Sequence, residues 1–362
     1  MTARARVLIV DDSAVMRSLL RSVVSADARL EVAGTAANGA DALEAVARLR
    51  PDVMLLDVEM PVLDGLETLR RLQTRGIRLP VIMCSAVTQR GARVTIEALA
   101  GGASDYVAKP AQQASREQAL ARLRAELVPK IHALTSKQRA EARTASLLPR
   151  APQCALAETP AIVAIGVSTG GPAALERVLP GLPSSFPLPI VVVQHMPDLF
   201  TRLLAERLDR GCRLRVREAT EGAPVRAGEV VIARGDWHLE LLPAAAGAVV
   251  QHLTKAPPEN HCRPSADVLF RSCRALHGAR VLAVVLTGMG SDGLAGCRAL
   301  REAGATVLAQ DEATSAVWGM PGAVAQAGLA HRIVPLGEMA AEILRLAGTK
   351  SSGAERLREA VV

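Results

Sequence analysis

The 362-residue chain predicts an α/β protein of two domains, each built on a mainly parallel sheet, and three observations carry that prediction. Short apolar runs alternate with helical stretches twice over, once from Arg6 to Pro110 and again from Ala161 to Leu346. Between the two runs, SKQRAEARTASLLPRAPQCALAETP loses periodicity and gains Ala, Arg and Pro, the composition of a connector. The length also exceeds what one hydrophobic core usually serves.

In chain order, the first run reads RVLIV, a helix from Ser13, VAGTAA, a helix from Gly39, VMLLD, VIMCS and DYVAKP. Five strands fit within about 110 residues, the size of one ordinary domain. An amphipathic helix is expected around Ser115 to Leu134, where leucines and Val128 recur among charges. The second run reads AIVAIGV, a helix from Pro172, PIVVVQH, a helix around Leu199 to Leu208, RVLAVVLTG, a helix from Leu294, ATVLAQD and a last helix near Met339 to Leu346. EVVIA, HLELL and AVVQHL read as shorter antiparallel strands, an extension of a doubly wound, mostly parallel sheet. The expected boundaries are a first domain over 1–125, a linker over 126–158, a second domain over 159–348 and a polar tail over 349–362.

Composition narrows the function classes. Hydrophobic residues make up 49% of the chain, yet no apolar run is long enough to cross a bilayer, and MTARARVLIVDD lacks a signal-peptide pattern. A cytoplasmic protein with no direct membrane insertion is expected. The net charge of +7 raises the question of nucleic acid, and eight basic residues against three acidic ones fall between Ala111 and Arg150. With aromatics at only 2%, base-stacking platforms are scarce and no DNA-binding motif is recognisable, so no nucleic-acid partner is expected. The basic segment reads as a solvated face, compatible with an acidic protein partner. The six cysteines (Cys84, Cys154, Cys212, Cys262, Cys273, Cys297) show no C-x-x-C pair and no His/Cys cluster at zinc spacing, and read as free thiols.

Chemistry-bearing residues gather at strand ends, where open parallel sheets place their ligands. In the first domain Asp11 and Asp12 follow the first strand, Asp57 ends the third, Ser85 the fourth and Lys109 the fifth. Three carboxylates converging there suit a hard cation such as Mg²⁺. Beside such a cation Asp57 becomes a nucleophile for a phosphoryl group, and Lys109 offsets charge on the phosphoryl oxygens. Singly these residues are also ordinary helix caps. Together, VDDS at 10–13, LLDVEMPVLDGLE at 55–67, CSA at 84–86 and YVAKP at 106–110 resemble the receiver domain of response regulators. The resemblance implies a flavodoxin-like five-stranded sheet, Mg²⁺-dependent phosphorylation of Asp57 by a histidine kinase, and Tyr106 as the aromatic whose position follows Ser85.

In the second domain Gly166-Val-Ser168-Thr-Gly170 matches the G-x-S-x-G elbow, with a strand before it and a helix after it. His195 ends the next strand and Asp292 follows a later one, so convergence would supply nucleophile, general base and orienting carboxylate. A lone histidine in an apolar stretch is more often structural, and a rival pattern stands nearby. Gly288-Met-Gly290-Ser-Asp-Gly293 satisfies G-x-G-x-x-G, with Asp311 placed as a ribose-binding acid should be. Against a dinucleotide, Asp292 sets a carboxylate where pyrophosphate should meet backbone N–H groups.

IGVSTGGP at 165–172, QHMP at 194–197, RPSADVLF at 263–270, LTGMGSDG at 286–293 and QDEATSAVWGMP at 310–321 resemble the catalytic domain of the chemotaxis protein-glutamate methylesterases, the CheB family. The resemblance implies that Ser168, His195 and Asp292 form a triad that needs no cofactor. It would hydrolyse glutamyl methyl esters and deamidate glutamines on the cytoplasmic helices of chemoreceptors, with the unphosphorylated receiver covering the active site. Backbone N–H groups near His195 and in the Gly288–Gly290 turn are candidate oxyanion donors. Two departures stand out: Arg234 replaces the usual proline before Gly235 and His238, and Trp318 replaces a smaller aromatic. Two alternatives keep the receiver and drop the esterase: a phosphorylation-gated receptor-binding module without catalysis, and a nucleotide-dependent enzyme using the 288–293 loop.

Overall fold

The computed structural model describes residues 4–86, 88–110, 115–141 and 158–348, except for the side chains of 137–141 and 246. The chain divides into two compact units, Met1–Leu147 and Leu148–Val362. Most of the expected linker (142–157) and the expected tail (349–362) lie outside the described residues.

In the first unit β1 (Ala5–Val10), β2 (Leu30–Ala36), β3 (Val53–Asp57), β4 (Val81–Ser85) and β5 (Asp105–Ala108) form one parallel sheet in the order β2-β1-β3-β4-β5. That is the flavodoxin-like order, whose switch point lies between β1 and β3. The crossovers are α1 (Ala14–Ser25), α2 (Gly39–Leu49), α3 (Gly65–Thr74) and α4 (Gln89–Ala100), followed by α5 (Arg116–Glu141). Ser13, Asn38, Asp64 and Thr88 each accept a backbone N–H at the start of α1 to α4, which explains where those helices begin. Strands covered on both faces read as unbroken apolar runs, and β3 and β4 are buried at every position. Helix α5 continues past residue 125, where the sequence reading ended the domain. Leu127, Ile131 and Leu134 are buried, so this apolar stripe holds the helix to the first unit.

The second unit carries a seven-stranded, wholly parallel sheet. Its strands are β6 (Ile162–Val167), β7 (Ile190–Gln194), β8 (Arg215–Glu218), β9 (Glu229–Ile232), β12 (Val281–Val285), β13 (Thr306–Gln310) and β14 (Arg332–Val334), in the order β14-β13-β12-β6-β7-β9-β8. The chain winds outward from β6 through β7, then returns to β12 on the other side, so the switch point falls between β6 and β12. Helices α6 (Gly171–Val178), α7 (Asp198–Gly211), α8 (Ala266–His277), α9 (Leu294–Glu302), α10 (Met320–Gln326) and α11 (Leu336–Leu346) accompany it. A separate antiparallel hairpin pairs β10 (His238–Pro243) with β11 (Val249–Thr254).

Two expectations change. EVVIA is not antiparallel: β9 lies inside the main sheet, parallel to both β7 and β8. Its consecutive apolar residues face cover on both sides, and Val230, Val231 and Ile232 are fully buried. The sequence reading also omitted β8 and β14, the rim strands, which are short and only partly buried.

Candidate functional site

Three neighbouring strand ends assemble the site of the second unit. Ser168 directly follows β6 and donates its N–H to Thr287 O at 3.0 Å, just beyond β12. His195 directly follows β7 and donates its N–H to Val167 O at 3.2 Å. Asp292 lies in the loop that leaves β12. The backbone of Gly288 runs so close to the serine that an added Cβ would stand 2.8 Å from Ser168 Cβ, so this position accepts only glycine without movement.

His195 Nε2 meets Asp292 Oδ2 at 2.7 Å. The carboxylate is 2% exposed and saturated with donors. Its Oδ1 accepts from Ser265 Oγ at 2.7 Å, Asn260 Nδ2 at 3.0 Å and Asp267 N at 3.2 Å, and its Oδ2 accepts from Ala266 N at 2.6 Å. Asp292 thereby caps α8 from outside, while Ser265, the N-cap residue, gives its hydroxyl to that carboxylate and makes no cap of its own. Burial works against the Asp292 charge, but His195 and these donors outweigh it and hold the carboxyl well below the usual range. Burial likewise works against a charged His195, but Asp292 and Cys262 prevail and raise the imidazole above its ordinary value.

The histidine's other edge has a thiol beside it. Nδ1 of His195 lies 3.6 Å from Cys262 Sγ, and no hydrogen bond joins Ser168 to His195 among the described residues. Catalytic hydrogen bonds are often loose in unliganded sites and tighten with substrate. Two of the candidate oxyanion donors are already occupied: His195 N by Val167 O, and Gly288 N by Val317 O. Among the described residues, the Met289 and Gly290 N–H groups donate to no backbone acceptor.

The 288–293 loop does not offer a phosphate cradle. Asp267 Oδ1 accepts the Gly296 N–H at 2.6 Å, so a carboxylate already sits at the start of α9 where a pyrophosphate would bind. Asp311 accepts the Thr314 N–H at 3.1 Å within its own turn. The two departures have local roles. Arg234 grips Asp198, the first residue of α7, with Nε and Nη2 at 3.1 and 2.8 Å. Trp318 donates its indole N–H to Gln310 O at 2.9 Å and packs beside Gly322. His238, fully buried, accepts the Ser265 N–H at 3.2 Å and so braces the residue that holds Asp292.

The first unit places Asp11, Asp12 and Asp57 so that their ligand oxygens lie within 4.8 Å of one another. Lys109 Nζ reaches Asp11 Oδ2 at 2.8 Å and Asp57 Oδ1 at 2.7 Å. Burial raises the Asp57 carboxyl to about 6, with neighbouring Asp11 adding to the rise and Lys109 opposing it. An all-oxygen set of three carboxylates facing one ammonium fits Mg²⁺ by both donor chemistry and charge. Gly65 makes the close approach possible here, because a Cβ would stand 2.1 Å from the carbonyl oxygen of Asp57. Ser85 is buried at the end of β4, and the Lys109 N–H donates to its carbonyl at 2.7 Å. Tyr106 is buried too, with Lys130 Nζ 5.1 Å from its ring centre.

The sequence reading missed Asn260, Cys262, Ser265 and Asp267. RPSADVLF carried the only signal, a serine and an acid opening an apolar helix, which reads as a self-contained cap.

Fold and sites together define a class: a receiver unit joined in one chain to an α/β unit with a serine, a histidine and an aspartate at adjoining strand ends. The profile of the response regulator receiver domain matches residues 7–144, and that of the CheB methylesterase matches residues 163–343. A protein-glutamate methylesterase/protein-glutamine glutaminase from Nocardioides sp. is 51% identical over 94% of this chain and 94% of its own length. One from Trichodesmium erythraeum is 47% identical over 95% of this chain and 99% of its own length. The crystal structure of the Thermotoga maritima CheB methylesterase catalytic domain superposes with a TM-score of 0.51 at 42% identity, over 52% of this chain and all of that one. The chain belongs to the CheB family of receiver-linked methylesterases. No helix among the described residues is long and apolar enough to cross a membrane.

Proposed function

We propose that the second unit is a serine hydrolase that demethylates glutamyl methyl esters, and deamidates glutamines, on the cytoplasmic helices of chemoreceptors, and that phosphorylation of Asp57 by a histidine kinase switches it on. The observation that supports this most is the His195–Asp292 pair, its carboxylate buried, at the strand end next to that of Ser168. Ser168 Oγ attacks the side-chain carbonyl, and His195 takes its proton and passes it to the departing methanol or ammonia. The same base then activates water to release the carboxylate. Because Asp292 holds Nε2, the proton from Ser168 must travel to Nδ1. The Met289 and Gly290 N–H groups are the donors left for the oxyanion.

In the receiver, Asp11, Asp12 and Asp57 would hold Mg²⁺, which screens carboxylate charge from an incoming phosphoryl group. Lys109 keeps Asp57 oriented and meets the phosphoryl oxygens, Ser85 Oγ bonds one of them, and Tyr106 follows Ser85. The reading is tested by methanol release from methylated receptor membranes. The wild-type chain is expected to release methanol and Ser168→Ala to release none above the blank. Equal release by the two overturns the serine mechanism, and no release by either favours a binding module without catalysis.

A further inference from the structure

We infer that the second unit carries a zinc site at the edge of its active centre, formed by His195 Nδ1 and Cys262 Sγ with Asp292 behind the imidazole, and that zinc bound there silences the enzyme. Nδ1 and Sγ stand 3.6 Å apart. A nitrogen and a sulfur bound to one tetrahedral Zn²⁺ at its usual bond lengths are separated by roughly 3.6 Å. The observed separation matches that of two donors sharing one ion. Asp292 takes the opposite nitrogen at 2.7 Å. A metal-binding histidine commonly gives its other N–H to a carboxylate, which fixes the ring and strengthens it as a ligand. One ligand atom from each of His195, Cys262 and Asp292 lies within 4.8 Å of the others.

The thiol is aimed, not incidental. Glu259 and Cys262 exchange backbone hydrogen bonds of 3.1 and 2.8 Å across a two-residue turn. Asn260 and His261, the central residues, have φ of 52° and 63°. Those are the left-handed values such a turn requires. Asn260 Nδ2 is tied in turn to Asp292 at 3.0 Å and to Asp267 at 2.8 Å. The carboxylate that orients the imidazole therefore also holds the turn that presents the thiol. Cys262 is half-buried, so an ion can reach it and solvent can complete its coordination. Because 67 residues separate the two donors, no zinc spacing marks the site in the sequence.

The two units would then sort cations by hardness: the three carboxylates of the receiver favour Mg²⁺, and the thiolate–imidazole pair favours Zn²⁺. Zinc on Nδ1 occupies the lone pair that must accept the Ser168 proton. This inhibitory consequence rests on the proposed esterase reading; the binding does not.

A thiol–imidazole hydrogen bond would give the same 3.6 Å separation, so the test must separate the two. Co²⁺ titrated into the full-length chain is expected to produce thiolate-to-metal charge-transfer absorption in the near ultraviolet. That absorption should persist in Cys212→Ser, vanish in Cys262→Ser and be displaced by Zn²⁺. The receiver carboxylates offer no sulfur and cannot produce it. Absorption that never appears, or that survives Cys262→Ser, overturns the site. In parallel, Zn²⁺ should suppress methanol release and a chelator restore it, with Cys262→Ser needing at least tenfold more Zn²⁺ relative to its own metal-free rate. Cys262-dependent absorption with methanol release indifferent to Zn²⁺ overturns the inhibition.

Discussion

Asp57 in the first unit and Asp292 in the second both lie at the carboxyl edge of a parallel sheet, and they are 4% and 2% exposed. Burial of that degree raises a carboxyl unless donors compensate it. Asp57 receives an ammonium and one backbone N–H, and stays raised to about 6. Asp292 receives an imidazole, a hydroxyl, an amide and two helix N–H groups, and is lowered instead. The comparison separates two uses of one residue type. Asp57 keeps acceptor capacity open, as the proposed cation and phosphoryl group require, whereas Asp292 is filled by its donors.

The contrast can be broken first at its extremes. Asp57→Asn is expected to abolish phosphoryl uptake from a small-molecule phosphodonor, and chelation of Mg²⁺ to do the same to wild type. Labelling that persists in either case would move the acceptor elsewhere. Asp292→Asn should leave the receiver's phosphorylation unchanged and lower methanol release about ten-thousandfold, through loss of the held imidazole. A loss under tenfold would show that the saturated carboxylate is structural only.

Smaller effects sharpen the comparison. Gly288→Ala and Gly65→Ala each force a Cβ against a functional strand end. Each should cost about 1–3 kcal/mol of stability in its own unit by overpacking. Calorimetry resolving the two units should show each lesion confined to one transition, and a shift of both would refute independent cores. The smallest effect is expected at the Asp27–His132 contact of 3.0 Å, which joins the end of α1 to α5. The hydrogen bond to His132 lowers Asp27 to about 2. A depressed carboxyl stabilises the fold above its unfolded value, near 4, and loses that contribution as pH falls toward 2. Asp27→Asn should therefore destabilise the first unit at pH 7 by about 1 kcal/mol or less. The gap from wild type should narrow below about pH 4; a pH-independent gap would contradict a carboxylate held by that hydrogen bond.

What the sequence disclosed follows from where each residue gets its partners. β1, β3 and β4 of the receiver and β6, β7 and β12 of the second unit are inner strands, and their continuous apolar runs announce them. β8, as RVRE, and β14, as RIV, lie at the rims and show no such run. Ser168, His195 and Asp292 were legible because strand-end position follows from topology. Asn260, Cys262 and Ser265 were not, because they reach Asp292 or His195 across 32, 67 and 27 residues of chain, which no local pattern records.

The measurement that bears most directly on the central claim, that a phosphoryl group on Asp57 commands the chemistry of Ser168, is methanol release from methylated receptor membranes by the full-length chain, with and without phosphodonor. The account predicts that phosphodonor raises the wild-type rate and leaves that of Asp57→Asn unmoved, with Ser168→Ala silent in both conditions. Stimulation of Asp57→Asn to the wild-type extent, or turnover by Ser168→Ala, would contradict it.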